Sequence, residues 1–278
     1  MEVDRATEVE GEEGEDGMTA LYIATWYGHS GVVGVLLGNG AEVDTACTDD
    51  FKKPSEVAAQ NGHVEVVRLL LDGAAHLVDR SSPLCMAVEA GHVKVVKALL
   101  DRGAEANIVC KYTKQLPLCV SAQAGHVDVV EVLLERGAEA DKACPRGVTP
   151  MLAASENGSV EIVKMLLESG AGVDKPWTNG DTTPLWIASQ NGHVGVVKVL
   201  LGKGADVNKA LRNNGLTPLC VASMRSHVGV VEALLGNGAD PSMLCTHNGR
   251  VRGTALEVAT QKGHQAVMEM FARHTAGN

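Results

Sequence analysis

The sequence is poor in aromatic residues and has no long apolar run. Phe, Trp and Tyr make up 3% of its 278 residues, whereas hydrophobic residues reach 45%. A core with so few rings must consist mainly of Ala, Val and Leu, which suits thin, closely packed helices. No apolar stretch approaches the roughly 18 residues of a membrane-spanning helix. The acidic start, MEVDRATEVEGEEGEDG, is unlike a signal peptide. We therefore expect a cytoplasmic or nuclear protein without membrane insertion.

Motifs of catalysis and metal binding are missing as well. The sequence contains no G-x-S-x-G, Walker-type loop, H-E-x-x-H or C-x-x-C. A structural zinc site needs four clustered ligands, and an enzyme needs a pocket that holds several unlike side chains. We therefore expect neither an enzyme nor a metalloprotein, and we predict no catalytic residue, cofactor or metal ligand.

An internal repeat is what the sequence does contain. The pattern G-H-x-x-V-V-x-x-L-L recurs along the chain at spacings of 29 to 37 residues. A Pro or Ala precedes each occurrence by eight residues, usually within T-P-L or a near variant such as Thr149-Pro150-Met151. The Gly position of the pattern is occupied by Gly28, Gly62, Gly91, Gly125, Gly158, Gly192, Ser226 and Gly263.

Each part of the pattern has a structural role. Thr followed by Pro starts a helix, because the hydroxyl caps free N–H groups and Pro fits the first turn. Gly ends that helix, since it can take the left-handed conformation of a tight turn. Val64, Val67 and Leu71 then form one apolar face of a second helix. A Gly-Ala pair closes this helix and an extended finger leads to the next Thr-Pro. Helix pairs this small hide their apolar faces only by stacking on neighbours.

The pattern T-P-L, Ala, G-H-x-x-V-V-x-x-L-L-x-x-G-A resembles the ankyrin repeat family over roughly residues 18–278. The resemblance implies an all-α repeat solenoid, a curved and elongated stack in which each repeat is a helix-turn-helix pair with a β-hairpin-like finger. Residues 1–17, with a net charge of −7, are interpreted as a flexible acidic leader or a truncated finger of a preceding repeat. The eight predicted repeats span 18–50, 51–80, 81–113, 114–147, 148–181, 182–215, 216–252 and 253–278.

Some repeats depart from the pattern. Ser226 stands where Gly is expected, at a cost of about 1 kcal/mol if the left-handed conformation persists. The short finger of repeat 2 predicts an irregularity between repeats 2 and 3, and the long finger of repeat 7 predicts a protruding loop near His247–Gly253. The family's usual His after T-P-L is absent, so any polar link made by that His is in doubt.

Cysteines and histidines follow the repeat. Each of the seven Cys falls in one of two columns: Cys85, Cys119 and Cys220 follow T-P-L, whereas Cys47, Cys110, Cys144 and Cys245 lie in the fingers. Disulfides are not expected, because we assign the chain to a reducing compartment. Seven of the ten His occupy the G-H column. Because this column recurs with the fold, and Ser159 replaces His once, a structural role is expected.

The resemblance also implies where a partner binds, since ankyrin repeats usually use the concave face made by fingers and first helices. The fingers carry twelve bases and four acids, a charge near +8, which leaves about −11 on the other faces of the repeats. This polarity favours an acidic protein partner, although Lys is common in ankyrin fingers in any case. Nucleic acid is not expected, because the domain is not basic overall and has few stacking aromatics.

Unusual side chains mark candidate contact points. Trp26-Tyr27 and Met224-Arg225 end their first helices where other repeats are bland, and Trp177 lies in a finger. Trp, Tyr and Arg often anchor interfaces, but Trp26 and Tyr27 could equally cover an exposed first repeat. The predicted partner-binding residues are Trp26, Tyr27, Lys111, Lys142, Lys175, Trp177, Arg212, Met224 and Arg225.

Two functions remain open at this point. The first is a monomeric, non-catalytic protein-interaction module that acts as a scaffold. The second is a structural spacer, or a fragment of a larger array whose specific work lies outside this chain. The segment Leu200 to Asn208 also resembles ankyrin fingers that asparagine hydroxylases modify, which makes Asn208 a candidate modification site.

Overall fold

The computed structural model describes six stretches of the chain. These are residues 18–43, 52–73, 80–178, 180–212, 215–247 and 250–277. The predictions for the acidic leader and for the irregularity between repeats 2 and 3 fall on residues 1–17 and 74–79, outside this description. Two compact units divide the chain: unit 1 comprises Met1–Ser121 and Asp128–Ala138, and unit 2 comprises Ala122–Val127 and Glu139–Asn278.

Helices follow one another as helix-turn-helix pairs. Those of unit 1 are α1 (Ala20–Trp26), α2 (Ser30–Gly38), α3 (Pro54–Gln60), α4 (Val64–Gly73), α5 (Ser81–Ala90) and α6 (Val93–Asp101). Helices α7 (Pro117–Ala124) and α8 (Val127–Glu135) each have residues in both units. Those of unit 2 are α9 (Pro150–Asn157), α10 (Val160–Glu168), α11 (Pro184–Asn191), α12 (Val194–Gly202), α13 (Pro218–Met224), α14 (Val228–Leu235), α15 (Ala255–Gln261) and α16 (Gln265–Gly277).

The first helices α9, α11 and α13 begin at the predicted Thr caps. The hydroxyl oxygen of Thr149 accepts a hydrogen bond from the backbone N–H of Leu152 at 3.2 Å, and Thr183 and Thr217 accept in the same way from residues three further on. Pro occupies the first position of these helices, where its missing N–H leaves no bond unmade. The T-P pattern therefore predicts the helix starts correctly.

The turn within each pair uses a left-handed residue. Gly91, Gly158 and Gly192 have φ values of 76°, 87° and 79°, a region that residues with a Cβ avoid. Ser226 takes the same conformation with φ 63°. The left-handed turn thus persists without its glycine, which is the condition under which a cost of about 1 kcal/mol is expected.

Apolar columns form the core of each unit. In unit 1, α1, α3 and α5 pack side by side, as do α2, α4 and α6; in unit 2 the same holds for α9, α11, α13 and α15 and for α10, α12, α14 and α16. Leu84 and Leu99 of unit 1 and Leu166 and Leu200 of unit 2 are fully buried. Burial of one such side chain contributes about 1.5–3 kcal/mol, so stability comes mainly from contacts between neighbouring helices.

Fingers are narrow turns closed by backbone hydrogen bonds at the base. The N–H of Cys110 donates to the carbonyl of Gln115 at 2.8 Å, and that of Trp177 donates to Thr182 at 2.8 Å. In repeat 7 the finger is a true antiparallel hairpin of β1 (Leu244–His247) and β2 (Arg250–Thr254), with an irregularity between Cys245 and Thr246. Most residues of the loop predicted near His247–Gly253 therefore belong to the two strands of this hairpin. Residues 248–249, between the strands, are not among the described residues.

The structure corrects the expectation about disulfides. Cys85 is bonded to Cys110, and Cys220 to Cys245, with Cα–Cα distances of 5.6 and 5.7 Å. Each bridge joins the two cysteine columns within one repeat, and both have a sequence separation of 25. The expectation was wrong because it was argued from an assumed compartment, whereas the fold places the start of a first helix beside the base of its own finger.

The predicted fold class is confirmed: tandem helix-turn-helix pairs with very little sheet. Among the described residues, no helix is both long and apolar enough to cross a bilayer.

Candidate partner-binding surface

Three predicted contact residues lie in unit 1. Trp26 and Tyr27, at the end of α1, expose 44% and 64% of their surface. The Trp26 carbonyl accepts a hydrogen bond from the side-chain amide of Asn61 at 3.1 Å. Lys111 is exposed in the finger of repeat 3, with its ammonium 5.5 Å from the ring centroid of Tyr112. All three side chains are therefore presented to solvent, and a cation–π contact orients Lys111.

A shallow groove of about 380 Å³ lies between finger and first helices in unit 1. Its apolar lining comes from Met86, Ala90 and Tyr112, and its charged lining from Lys52 and Glu89. Because the two charges have opposite sign, this groove shows no preference for an acidic or a basic ligand.

The predicted basic finger edge is partly neutralised in unit 2. Lys142 forms an ion pair with Glu139 at 2.8 Å, and Lys175 pairs with Asp141 at 3.1 Å. Both carboxylates lie at the corner that follows Gly137-Ala138, which was left out of the finger segments when their charge was counted. The predicted finger charge near +8 therefore overstates the positive potential at Lys142 and Lys175.

Arg212 and Trp177 occupy neighbouring fingers of unit 2. The guanidinium of Arg212 lies 3.4 Å from an oxygen of Asp181, yet the arginine side chain remains 85% exposed. The indole N–H of Trp177 donates to the Arg146 carbonyl at 2.6 Å, while 39% of the residue is exposed. Trp177 thus ties two fingers together and still presents part of its ring to solvent.

A second groove, of about 270 Å³, lies between α13, α15 and the hairpin of repeat 7. Its lining consists of Met224, Arg252, Val258, Gln261 and Lys262. Two of these side chains are cationic and none is acidic, while Met224 and Val258 provide apolar surface. A predicted anchor, Met224, and a finger charge, Arg252, meet in this cavity, which we call the repeat-7 groove.

Sequence reasoning found only part of the repeat-7 groove. Met224 was a candidate, Arg252 was among the counted finger bases, and Arg225 is exposed beside Met224. Gln261 and Lys262 occupy the same positions at the end of α15 as Met224 and Arg225 do at the end of α13. The repeat pattern could therefore have pointed to them, but polar residues are common at these positions and they were not selected. Val258 is core-like in sequence and gave no signal.

The base of this hairpin is held by Asp240. Its carboxylate accepts hydrogen bonds from the backbone N–H and the hydroxyl of Ser242, at 2.8 and 2.6 Å. These two bonds stabilise the charged form and lower the pKa of Asp240 below its ordinary value. The turn that leads into β1 is therefore fixed by a carboxylate that remains ionised at neutral pH.

The histidine column has the structural role that the repeat predicts. His63 Nε2 lies 3.0 Å from the Trp26 carbonyl, and His193 Nε2 lies 2.9 Å from that of Glu156. Because a carbonyl only accepts, Nε2 must carry the proton and donate. Where Ser159 replaces His, the side-chain amide of Asn157 donates to the Gln123 carbonyl at 3.0 Å. These bonds satisfy carbonyls that the end of a helix leaves open.

An Asp/Asn ladder links successive finger bases in unit 2. Asp141 accepts from the N–H of Gly172 at 3.1 Å, and Asp174 accepts from that of Asp206 at 2.9 Å. Asn208 continues the ladder by accepting from the N–H of Asp240 at 2.9 Å. Its side chain is thus part of the scaffold, and modification of Asn208 remains a prediction.

No group of three or more His, Cys, Asp or Glu placed to hold a metal ion occurs in the described stretches.

Paired helices, left-handed turns and hairpin fingers in tandem define a helical repeat protein. A family model described as ankyrin repeats in three copies matches residues 55–144, 84–176, 118–210 and 169–245. A single ankyrin repeat model matches residues 16–49.

These matches cover well over half of the chain, which therefore belongs to the ankyrin repeat family. A comparison with curated proteins gave no match. Ankyrin repeats are in general protein–protein interaction modules. Membership of the family does not identify the partner or the binding face, which depend on the surface residues of this chain.

Proposed function

We propose that this chain is a non-catalytic protein-interaction module whose repeat-7 groove binds an acidic segment of a partner protein. The observation that carries the proposal is the lining of that groove, which joins Arg252 and Lys262 to an apolar floor of Met224 and Val258. Basic groups around a groove attract carboxylates and speed their encounter. Methionine adapts its shape to different apolar side chains.

The other predicted residues form secondary contacts in this proposal. In unit 2, Trp177 and Arg212 offer exposed surface, whereas Lys142 and Lys175 are already paired with carboxylates and contribute less. In unit 1, Trp26, Tyr27 and Lys111 are exposed anchors for a longer partner. Arg225 adds positive charge beside the repeat-7 groove.

Selection from a display library of random peptides tests the proposal. The intact chain is compared with an R252E/K262E variant and with a K164E/K198E variant, whose exposed lysines lie on the second helices α10 and α12. Both variants change the net charge equally, so a difference between them reports position and not total charge.

Acidic peptides with apolar residues should be enriched by the intact chain and by K164E/K198E. Their affinity for R252E/K262E should fall about tenfold, because reversal of two contacting charges removes roughly 1–2 kcal/mol of attraction. Circular dichroism checks that all three proteins are folded. An equal loss of affinity in both variants would mean that only the net charge matters. If the intact chain enriched no peptide, the spacer function would be favoured.

A further inference from the structure

Each disulfide lies beside one of the two grooves. In unit 1, Cys85 immediately precedes Met86 on α5, and Cys110 precedes Tyr112 by two residues in the finger. Met86 and Tyr112 belong to the lining of the unit 1 groove. The Cys85–Cys110 bridge therefore joins a helix and a finger that both contribute to the lining of that groove.

The same arrangement recurs in the repeat-7 groove. Cys220 lies one helical turn before Met224 on α13, and Cys245 pairs across the hairpin with Gly253, the neighbour of Arg252. Met224 and Arg252 both line the groove. The Cys220–Cys245 bridge thus connects α13, which carries Met224, to β1, and β1 pairs with the strand β2 that carries Arg252.

The fold does not require a covalent bond at these positions. In repeats 5 and 6 the same two columns hold Leu152 with Trp177 and Trp186 with Leu211. The fingers of those repeats have the same closure, since the N–H of Leu211 donates to the Leu216 carbonyl at 3.1 Å. Reduced cysteines pack as small apolar side chains, so a repeat with a broken bridge stays folded, but its finger lacks the larger Trp177 or Leu211 side chain that fills this column in repeats 5 and 6.

We propose that thiol–disulfide exchange at Cys220–Cys245 controls ligand binding at the repeat-7 groove, with the bridged form as the binding form, and that the Cys85–Cys110 bridge restrains the finger of repeat 3 in the same way. This inference builds on the proposed function, because it names the regulation of the same site. The bridge holds the finger wall against the first helix. Its reduction leaves the finger held by non-covalent contacts only, such as the hydrogen bond from the Gln261 amide to the Arg252 carbonyl, and this lowers the fraction of molecules with a formed groove.

The exchange uses a dithiol reductant of the thioredoxin or dithiothreitol class. One thiolate of the reductant attacks a bridge sulfur, the protein S–S bond breaks, and a mixed disulfide forms. The second thiolate of the reductant displaces the remaining protein thiol. The bridge gains two electrons and two protons, and the reductant leaves as a disulfide; a disulfide oxidant reverses the reaction. All four sulfurs belong to buried residues, so exchange must await local opening of the finger.

Hydrogen exchange on the full chain, with and without dithiothreitol, tests the structural step. The amide of Cys110, which donates to Gln115, should lose about tenfold of its protection on reduction, because the bridge no longer restrains its finger. The amide of Trp177, which closes a finger without a cysteine, is the internal reference and should not change. Peptide mapping after alkylation shows which cysteines are bridged before reduction.

A fluorescein-labelled peptide of glutamates interrupted by leucines tests the binding step. Its affinity should fall about fivefold on reduction of the intact chain, a coupling typical of linked sites. A variant with Ala at Cys85, Cys110, Cys220 and Cys245 should bind as the reduced chain does and should not respond to dithiothreitol. If the variant still responded, other thiols would be responsible and the inference would be wrong.

The outcomes separate the two proposals. Free thiols at all four positions in protein purified without reductant, or equal peptide binding in both redox states, would overturn the inference and leave the proposed function standing. Failure of both redox forms to bind the peptide, with the bridges present, would contradict the proposed function itself.

Discussion

At the scale of single residues, the glycine and histidine of the repeat depend on one another. A Cβ on Gly192 would lie 2.7 Å from Nδ1 of His227, and one on Gly158 would lie 2.6 Å from Nδ1 of His193. Glycine therefore supplies both the left-handed turn and the space for the ring of the next repeat. Ser226 has a Cβ at this position, and the bond from His264 to the Met224 carbonyl is 3.2 Å, longer than the 2.9 Å of His227 to Gln190.

Ser226→Gly should stabilise the chain by about 1 kcal/mol, since it removes the strain of a left-handed serine. The midpoint of urea unfolding measures the change. Gly192→Ala, the opposite replacement one repeat earlier, should destabilise by at least as much, because it adds both strain and a close contact with His227. A destabilised S226G protein would show that the serine side chain makes a compensating bond.

At the scale of the helix pair, the histidine column connects repeats. The rings of His63, His92, His193, His227 and His264 each donate to a carbonyl at the end of the preceding first helix, as His92 does to Gln60 at 2.9 Å. This bond converts an open helix end into an interface between repeats. Stability of a repeat protein depends on such interfaces between nearest neighbours.

His193→Ala should cost about 1–2 kcal/mol, because it leaves a helix-end carbonyl without its donor. His29→Ala is the matched control: His29 lies in the first described repeat and stacks on Tyr27, and its loss should stay within about 0.5 kcal/mol. Urea unfolding followed by circular dichroism measures both. Equal effects would mean that the ring contributes by packing and not by its hydrogen bond to the preceding repeat.

At the scale of the whole molecule, charge is distributed unevenly. The chain has a net charge of −10, of which residues 1–17 carry −7. Ion pairs such as Lys175–Asp141 neutralise part of the finger edge, whereas the repeat-7 groove has two cations and no acid in its lining. Because the protein as a whole is acidic, an acidic ligand can be attracted only by the positive charges close to it, those of Arg252 and Lys262 in the repeat-7 groove.

Salt should weaken binding of the glutamate–leucine peptide by roughly threefold to tenfold between low and physiological ionic strength, because exposed charges are screened. Fluorescence anisotropy measures the affinity. A peptide with glutamine in place of glutamate is the control, and its weaker binding should not depend on salt. Parallel salt curves for the two peptides would show that apolar contact alone drives association.

Helix starts, turns and core columns could be predicted from the sequence because each depends on neighbours in the chain. Thr149 caps a helix that begins at the next residue, and Gly158 ends it. The candidate site was predicted only in part. Met224 was found as an unusual residue, but Val258 and Lys262 became part of a groove only through the packing of α13 and α15.

The sequence by itself determined the repeat, its helix pairs and the ankyrin family, since these follow from local signals that recur along the chain. Tertiary structure alone decided that Lys175 meets Asp141, that Cys85 meets Cys110, and that Cys220 meets Cys245. The physical reason is distance along the chain: partners 25 residues apart become neighbours only when a finger folds back on its own first helix.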